Sequence, residues 1–428
     1  MSKNFKGKKV VIMGLGSNEG GSGISSALFF LRRGANLLIT DLRKEEEFKK
    51  QLTKLEKFRT AGRVEYVFGR HRKKDFKKAD IIFKNPGVPK DSPYLKTARE
   101  NGIPIINDWT IFFEERPNNL LIGITGTKGK SVTAALIYEM LKNSGADAVL
   151  CGNIGKSPLA ILNKIKKDTI VVAELSSWLL QEFKTIKKSP RIAVVTNLMP
   201  EHLDKYKSLR EYYGDKENIF KFQKKDDWLI LNRDDMEVKK FAKKAKAKII
   251  WFSGNEGRCA AAVAVAEVLG IPRKIIEKTL KNFKGVPHRL ELVGEKGGVK
   301  YINDSAATMP EAVIFALNSL KRYRGKIILI AGGVDKKLNY KNFAKEVNGS
   351  VKALILFPGT ATDKILKENV RGLTPIIARG MKEAVARAKG LARRGDVVLL
   401  SPGAASFNMF KNEFDRGDQF KKSVKKLK

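Results

Sequence analysis

An α/β protein of three domains is what this sequence predicts, and three observations carry the prediction. Apolar runs of strand length recur along all 428 residues and alternate with helical stretches. Runs such as "TIVVAEL" (169–175) and "KIILIAGG" (326–333) lack period-2 alternation, as parallel strands covered on both faces do. Glycine-rich turns open at residues 14 and 126, each between an apolar run and a helical pattern. The expected divisions are 1–107, 108–285 and 286–428: a Rossmann-like N-terminal domain, a P-loop-type central domain and a Rossmann-like C-terminal domain.

The first domain opens with the strand "KKVVIMG" (8–14), then the turn "GLGSNEGGSG", a helix to about Arg33 and the strand "NLLITD" (36–41). It continues through "ADIIFKNPGVP" (79–89) and closes near "NGIPIIND" (101–108). The second begins with "NNLLIGITG" (118–126), and its further strands are "TIVVAEL", "IAVVTNL" (192–198), "DWLILN" (227–232) and "AKIIWFS" (247–253). The helix "CAAAVAVAEVLG" (259–270) leads toward its end. The third starts near "GVPHRLELV" (285–293) and alternates the strands "VKYIND", "KIILIAGG", "VKALILF" and "DVVLLSPG" with helices.

Composition narrows the class. With no apolar run of transmembrane length and no signal peptide, the protein is expected in the cytoplasm, without membrane insertion. Two cysteines, Cys151 and Cys259, cannot make a disulfide framework, and neither has a metal-ligand spacing. The 84 Lys+Arg outnumber the 45 Asp+Glu, for a net charge of +39. Because the lysines are scattered rather than gathered into arms or stripes, no nucleic-acid partner is expected. Such a field favours anionic small molecules.

The stretch "GITGTKGKSVTAAL" (123–136) is a phosphate loop in outline. Gly126 and Gly129 let backbone N–H groups turn around an anion, with Thr127 and Lys128 between them and a helix end behind. Lys130 reaches the β/γ-phosphates and the Ser131 hydroxyl binds Mg²⁺. Ile124 stands where the strict P-loop pattern has its first glycine. Glu174 ends a buried strand in "AELSSW", and His202 follows the next strand in "NLMPEHLDKY". Strand C-termini face the ligand crevice in such sheets, so Ser131, Glu174 and His202 are expected to converge on metal. In the first turn, Gly14 and Gly16 fit a dinucleotide fingerprint, but Glu19 occupies the third glycine position, which excludes a nicotinamide cofactor.

The order "TGTKGKS", "GNIG" (152–155), "ELSSW", "EHLDKY", "PHRLE", "NDSAAT", "AGGVDKK" and "SPGAASFNMFKNEFDRG" resembles the Mur ligase family over essentially the whole chain. The resemblance implies an ATP-dependent ligase that joins D-glutamate to UDP-N-acetylmuramoyl-L-alanine through an acyl phosphate, with two Mg²⁺ ions. By matching motif, Lys130 and Ser131 bind ATP phosphates and Mg²⁺, Glu174 one Mg²⁺ and His202 the second. Lys216 in "YYGDKENIF" matches a lysine carbamylated by CO₂, which turns a cation into a metal-binding anion. Arg289 and Asp304 match nucleotide contacts. Asn153 matches a contact to the UDP-sugar, and the first domain, through Gly16, Asp41 and Arg43, holds the UDP half. Thr308, Lys336 and Ser406 match the positions that hold D-glutamate. The enzyme is expected to act as a monomer.

Three segments depart from the family pattern. Ala306 replaces the lysine of "NDSKAT", and Glu256–Gly257 stand where a His-Asn pair contacts nucleotide. Glu413 takes the place of an aromatic residue that often lines the D-glutamate pocket. Other readings are a sister ligase that adds L-alanine or a later residue, a P-loop ATPase acting on nucleic acid, and a non-catalytic UDP-sugar binder.

Overall fold

Strings of β-branched and aliphatic residues form the strands of the computed structural model, with glycine, proline and Asx residues at their ends. The structure describes residues 5–16, 20–58, 63–201, 206–257, 259–335, 338–368, 370, 372–406 and 409–427. Contacts divide the chain into two compact units, Met1–Phe283 and Lys284–Lys428.

The first unit holds two parallel sheets. One is built from β1 (Lys9–Met13), β2 (Asn36–Asp41), β3 (Val64–Phe68), β4 (Ile81–Lys84) and β5 (Ile105–Ile106), in the order β3-β2-β1-β4-β5. Because the order reverses between β1 and β4, the loops leaving those strands diverge and open a crevice at their C-terminal ends. The helix Ser22–Leu31 is buried along almost its whole length; its Phe29 and Phe30 meet Phe5 edge-on, with ring centroids 5.9 and 5.0 Å apart. A helix this apolar all round has to lie inside a larger body, and it packs on the segment Pro158–Lys164 of the next sheet's surroundings.

The second sheet comprises β6 (Leu121–Thr125), β7 (Ala148–Gly152), β8 (Ile170–Glu174), β9 (Ile192–Val195), β10 (Trp228–Asn232) and β11 (Lys248–Phe252). Their order is β11-β10-β9-β6-β8-β7. The chain leaves β6 toward β7 and β8, then returns past it to β9, so the reversal falls between β6 and β9. Both faces of β6 are buried, as its unpatterned sequence requires.

In the second unit, β12 (Glu291–Lys296), β13 (Val299–Asn303), β14 (Ile327–Gly332), β15 (Val351–Phe357), β16 (Ile376–Ile377) and β17 (Val397–Leu400) form the order β12-β13-β17-β14-β15-β16. All neighbours are parallel except β12, an edge hairpin partner of β13 with an irregularity between Leu292 and Gly294. Its half-exposed face explains why this segment reads less clearly as a strand than its neighbours. The α/β class read from the sequence is the architecture found.

Candidate functional site

In the first sheet, the chain leaves β1 through Gly14 and Gly16, both left-handed at φ 88° and 76°. Gly23 is required for a different reason, because a Cβ there would overlap the Leu15 carbonyl. Asp41, at the end of β2, accepts the Leu15 N–H at 3.0 Å and takes the Arg43 guanidinium on both oxygens, at 3.2 and 3.1 Å. Burial opposes its charge, but the Arg43 contacts prevail and hold its carboxyl below the usual range. Arg43 also lies over the Phe48 ring at 4.6 Å. Asn85, after β4, donates to the Gly14 carbonyl at 3.1 Å. A cleft of about 670 Å³ opens here, lined by Gly14, Gly16, Asp41, Arg43, His71 and Asn85 among others.

His71 is a residue the sequence reading passed over. Its Nδ1 pairs with the Thr40 hydroxyl at 2.7 Å, and its ring meets Tyr94 edge-on at 5.0 Å. Burial lowers its pKa, which the nearby Asp41 partly offsets. The available signal was its position just past β3, at the same sheet edge as the turn.

In the second sheet, Gly126 through Ser131 form one continuous loop and helix entry between β6 and the helix Lys130–Asn143. Gly126 has φ 143°, and a Cβ there would overlap the Thr196 hydroxyl. Gly129, at φ 84°, is the left-handed N-cap. The loop is gripped from the end of β9: Thr127 N–H donates to the Asn197 carbonyl at 2.9 Å and Lys128 N–H to Asn197 Oδ1 at 2.8 Å. Thr196 donates its hydroxyl to the Lys128 carbonyl at 2.6 Å. Lys128 pairs with Glu201 at 2.9 Å. Lys130 folds its ammonium onto the Gly126 and Thr127 carbonyls at 2.9 and 2.8 Å. Ser131 is buried on the first turn of the helix.

Two further groups meet this loop. Glu174, fully buried, ends β8 and lies in register with Ile124 of β6. Its Oε1 accepts Asn153 Nδ2 at 2.8 Å, whereas Oε2 has no hydrogen-bond partner among the described residues. A carboxylate oxygen left open inside a protein calls for a cation or a donor. Lys216, on the helix Leu209–Glu217, is 1% exposed and donates to the same Gly126 carbonyl at 2.8 Å. Burial, then the Lys130 ammonium, push its pKa well below the ordinary lysine value, against the pull of Glu201, Glu174 and Asp215. Asn153 follows β7, and its backbone N–H also binds Glu174, through the carbonyl, at 2.8 Å. Cys151, one residue before the end of β7, is buried beside Ala173, and its burial raises the thiol pKa. Loop, Glu174, Asn153 and Lys216 therefore stand together. His202 lies outside the described residues, among which no cluster of three or more His, Cys, Asp or Glu could hold a metal.

The remaining candidates belong to the second unit. Arg289 is exposed between His288 and Leu290, both left-handed at φ 64° and 46°. Asp304 accepts Leu290 N–H at 3.1 Å and Ser401 Oγ at 2.8 Å. The loops after β13, β17 and β14 are stitched together: Gly403 N–H donates to the Ala307 carbonyl at 2.9 Å, and Val334 and Ala405 exchange backbone bonds at 3.0 Å. Thr308 and Ser406 share this sheet edge; Ser406 is buried and its hydroxyl has no partner among the described residues. Lys336 lies outside the described residues. The Glu413 carbonyl accepts the Ser305 hydroxyl at 2.7 Å, and Phe414 beside it is 46% exposed.

Family comparisons follow the same three-sheet division. A Mur ligase MurD-like N-terminal domain matches residues 8–107, a Mur ligase middle domain 124–295, and a Mur ligase glutamate ligase domain 288–403. The UDP-N-acetylmuramoylalanine–D-glutamate ligase of Roseiflexus sp. (strain RS-1) is 37% identical, covering 98% of each chain. That of Acetivibrio thermocellus is also 37% identical, over 99% of this chain and 98% of its own. Both alignments span 470 positions against a chain of 428, so the relatives carry segments absent here. Among solved structures, a MurF ligase of Thermotoga maritima in complex with ADP shares the fold, with a TM-score of 0.60 at 17% identity and all of both chains covered. Matched from end to end at such identity, the chain belongs to the Mur ligase family.

Proposed function

We infer that this chain is an ATP-dependent ligase that adds D-glutamate to UDP-N-acetylmuramoyl-L-alanine, a step of peptidoglycan precursor synthesis, and that it works in the cytoplasm. One observation carries the reading. In a chain that matches D-glutamate ligases end to end, the buried Glu174 with an open oxygen stands one strand from a phosphate loop whose first carbonyl holds a buried lysine amine.

The cleft of the first sheet receives the UDP half: the turn at Gly16 cradles the diphosphate, and Asp41, Arg43 and His71 flank the nucleoside. ATP lies on residues 126–131, and Arg289 and Asp304 keep the nucleotide-contacting role that their motifs imply. Lys130, now bound to two carbonyls, exchanges them for phosphate oxygens. Thr308, Ser406 and Lys336 hold D-glutamate, the Ser406 hydroxyl supplying a buried donor. We assign these tasks to divisions at 1–107, 108–285 and 286–428.

The donors present suit Mg²⁺, a hard cation that takes carboxylate and hydroxyl oxygens. Ser131, Glu174 and His202 would hold it, with Lys216 once carbamylated, and two bound ions would neutralise the crowded phosphate oxygens. Asn153 keeps one Glu174 oxygen engaged and so aims the other. The lowered pKa of Lys216 favours its neutral amine, the form that adds to CO₂. A substrate carboxylate oxygen attacks the γ-phosphorus and ADP departs, leaving an acyl phosphate. The D-glutamate amine then attacks the acyl carbon, loses a proton, and expels phosphate as the amide forms. Activation is needed because a carboxylate alone is a poor electrophile.

The test is to supply ATP, Mg²⁺ and UDP-N-acetylmuramoyl-L-alanine and follow phosphate release with single amino acids added. Release that depends on D-glutamate is expected. Release with L-alanine on the unsubstituted muramate would assign a sister ligase, and release driven only by nucleic acid would overturn the reading.

A further inference from the structure

The segment Asn107–Asp108 opens the helix Asp108–Glu115 between the two sheets of the first unit, and no part of the proposed reaction uses it. Asn107 caps the helix and donates to Glu182 Oε2 at 3.0 Å, while Lys84, the residue before the "NPG" loop, pairs with Glu182 Oε1 at 2.6 Å. Asp108 is 1% exposed, and no cation pairs with it among the described residues. Its Oδ2 takes two hydroxyls: Ser22 at 2.5 Å and Ser157 at 3.0 Å. Its Oδ1 takes the Trp109 N–H at 3.1 Å.

The two serines come from different sites. Ser22 is the first residue of the helix behind the sugar-nucleotide turn. Ser157 ends the loop 152–157, whose other end carries Asn153 on Glu174. That loop is closed on itself by Gly152 N–H to the Lys156 carbonyl at 3.0 Å, and Ser157 N–H reaches the Gly20 carbonyl at 2.9 Å. A short path of hydrogen bonds thus runs Ser22–Asp108–Ser157–loop–Asn153–Glu174. A buried carboxylate without a cation is costly to keep, and here it is a group that both hydroxyls share.

We propose that Asp108 is a positioning residue that couples the sugar-nucleotide turn to the Glu174 carboxylate; the inference rests on the ligase reading above. When the diphosphate settles on the turn, Asp108 transmits the placement of Ser22 to the loop that aims Glu174. The substrate acid group and the ATP site are then set against each other within one framework. An asparagine at 108 that keeps the Trp109 bond must turn its NH₂ toward the two serines, which reverses the direction of both hydroxyl bonds and removes the charge they share.

The serines separate the two links. Ser22→Ala should raise KM for UDP-N-acetylmuramoyl-L-alanine about tenfold with little change in kcat. Ser157→Ala should lower kcat about tenfold with that KM nearly unchanged, since a small misplacement of a reacting group costs that much. Asp108→Asn should show both effects, and Ser22→Thr, which keeps the hydroxyl, should restore KM. Melting temperatures of the two alanine variants are measured alongside; equal losses in both rule out stability as the source of the split. The proposal is overturned if kcat and KM change in one ratio in both serine variants, or if neither changes. An inactive wild type would instead refute the ligase reading. Calorimetric binding of the sugar nucleotide with and without a non-hydrolysable ATP analogue would then read the coupling in the same variants, and a wild type without such binding would overturn both.

Discussion

Lys216 shows how one side chain carries a pH dependence. Its pKa is lowered in the folded state, so between that value and the ordinary lysine pKa the unfolded chain binds the extra proton. Stability therefore rises with pH across that window, by about 1.4 kcal/mol for each pH unit crossed. Lys216→Met should remove this component; denaturant midpoints of both proteins at several pH values in CO₂-free buffer check it, and parallel curves would refute the assignment. The same variant should be inactive, and Lys216→Ala should regain part of its turnover with short carboxylates. At this scale the sequence was legible where a motif surrounds the residue: Lys130, Ser131 and Glu174 were singled out from their neighbours and Asn153 from the family resemblance. His71 and Asp108 were not, because their roles come from partners 31 and 49–86 positions away that no local pattern reveals.

Elements explain why the loop holds its shape. Gly126 sits at φ 143° with the Thr196 hydroxyl where a Cβ would go. Gly126→Ala should therefore cost on the order of 3 kcal/mol from overpacking and backbone strain, read by urea unfolding, and should weaken ATP binding. An unchanged midpoint would mean that Thr196 moves aside freely. The Lys84–Glu182 pair ties β4 to the helix Ser177–Ile186, with side chains only 5% and 14% exposed. Breaking it with Lys84→Met should cost about 3 kcal/mol by stranding Glu182, and adding Glu182→Leu should recover most of the loss. The strands flanking the phosphate loop were readable as unbroken apolar runs. β7, β3 and β16 were harder, since "AVLCG" ends in a glycine, "VEYVF" carries an exposed glutamate and "II" is only two residues long.

For the whole molecule, each unit contains its own hydrophobic clusters, which is the condition for folding alone. Fragments 1–283 and 284–428 should each give a cooperative melt, and the first should bind the sugar nucleotide without turning it over. A fragment that stays unfolded would show that the units depend on each other for stability. The α/β class was visible in the sequence because buried parallel strands leave an unmistakable apolar signature. The division into two units was not, since the packing of Ser22, Asp108 and Ser157 between sheets is written in scattered polar residues. That packing lies close to Cys151 on β7, the edge strand of the second sheet. Cys151, enclosed there with its thiol proton held tightly, is chemically mute. An alkylating reagent applied to the native protein should therefore label Cys259 alone, leaving the second sulfur to report, by its first reaction, the moment the central sheet comes apart.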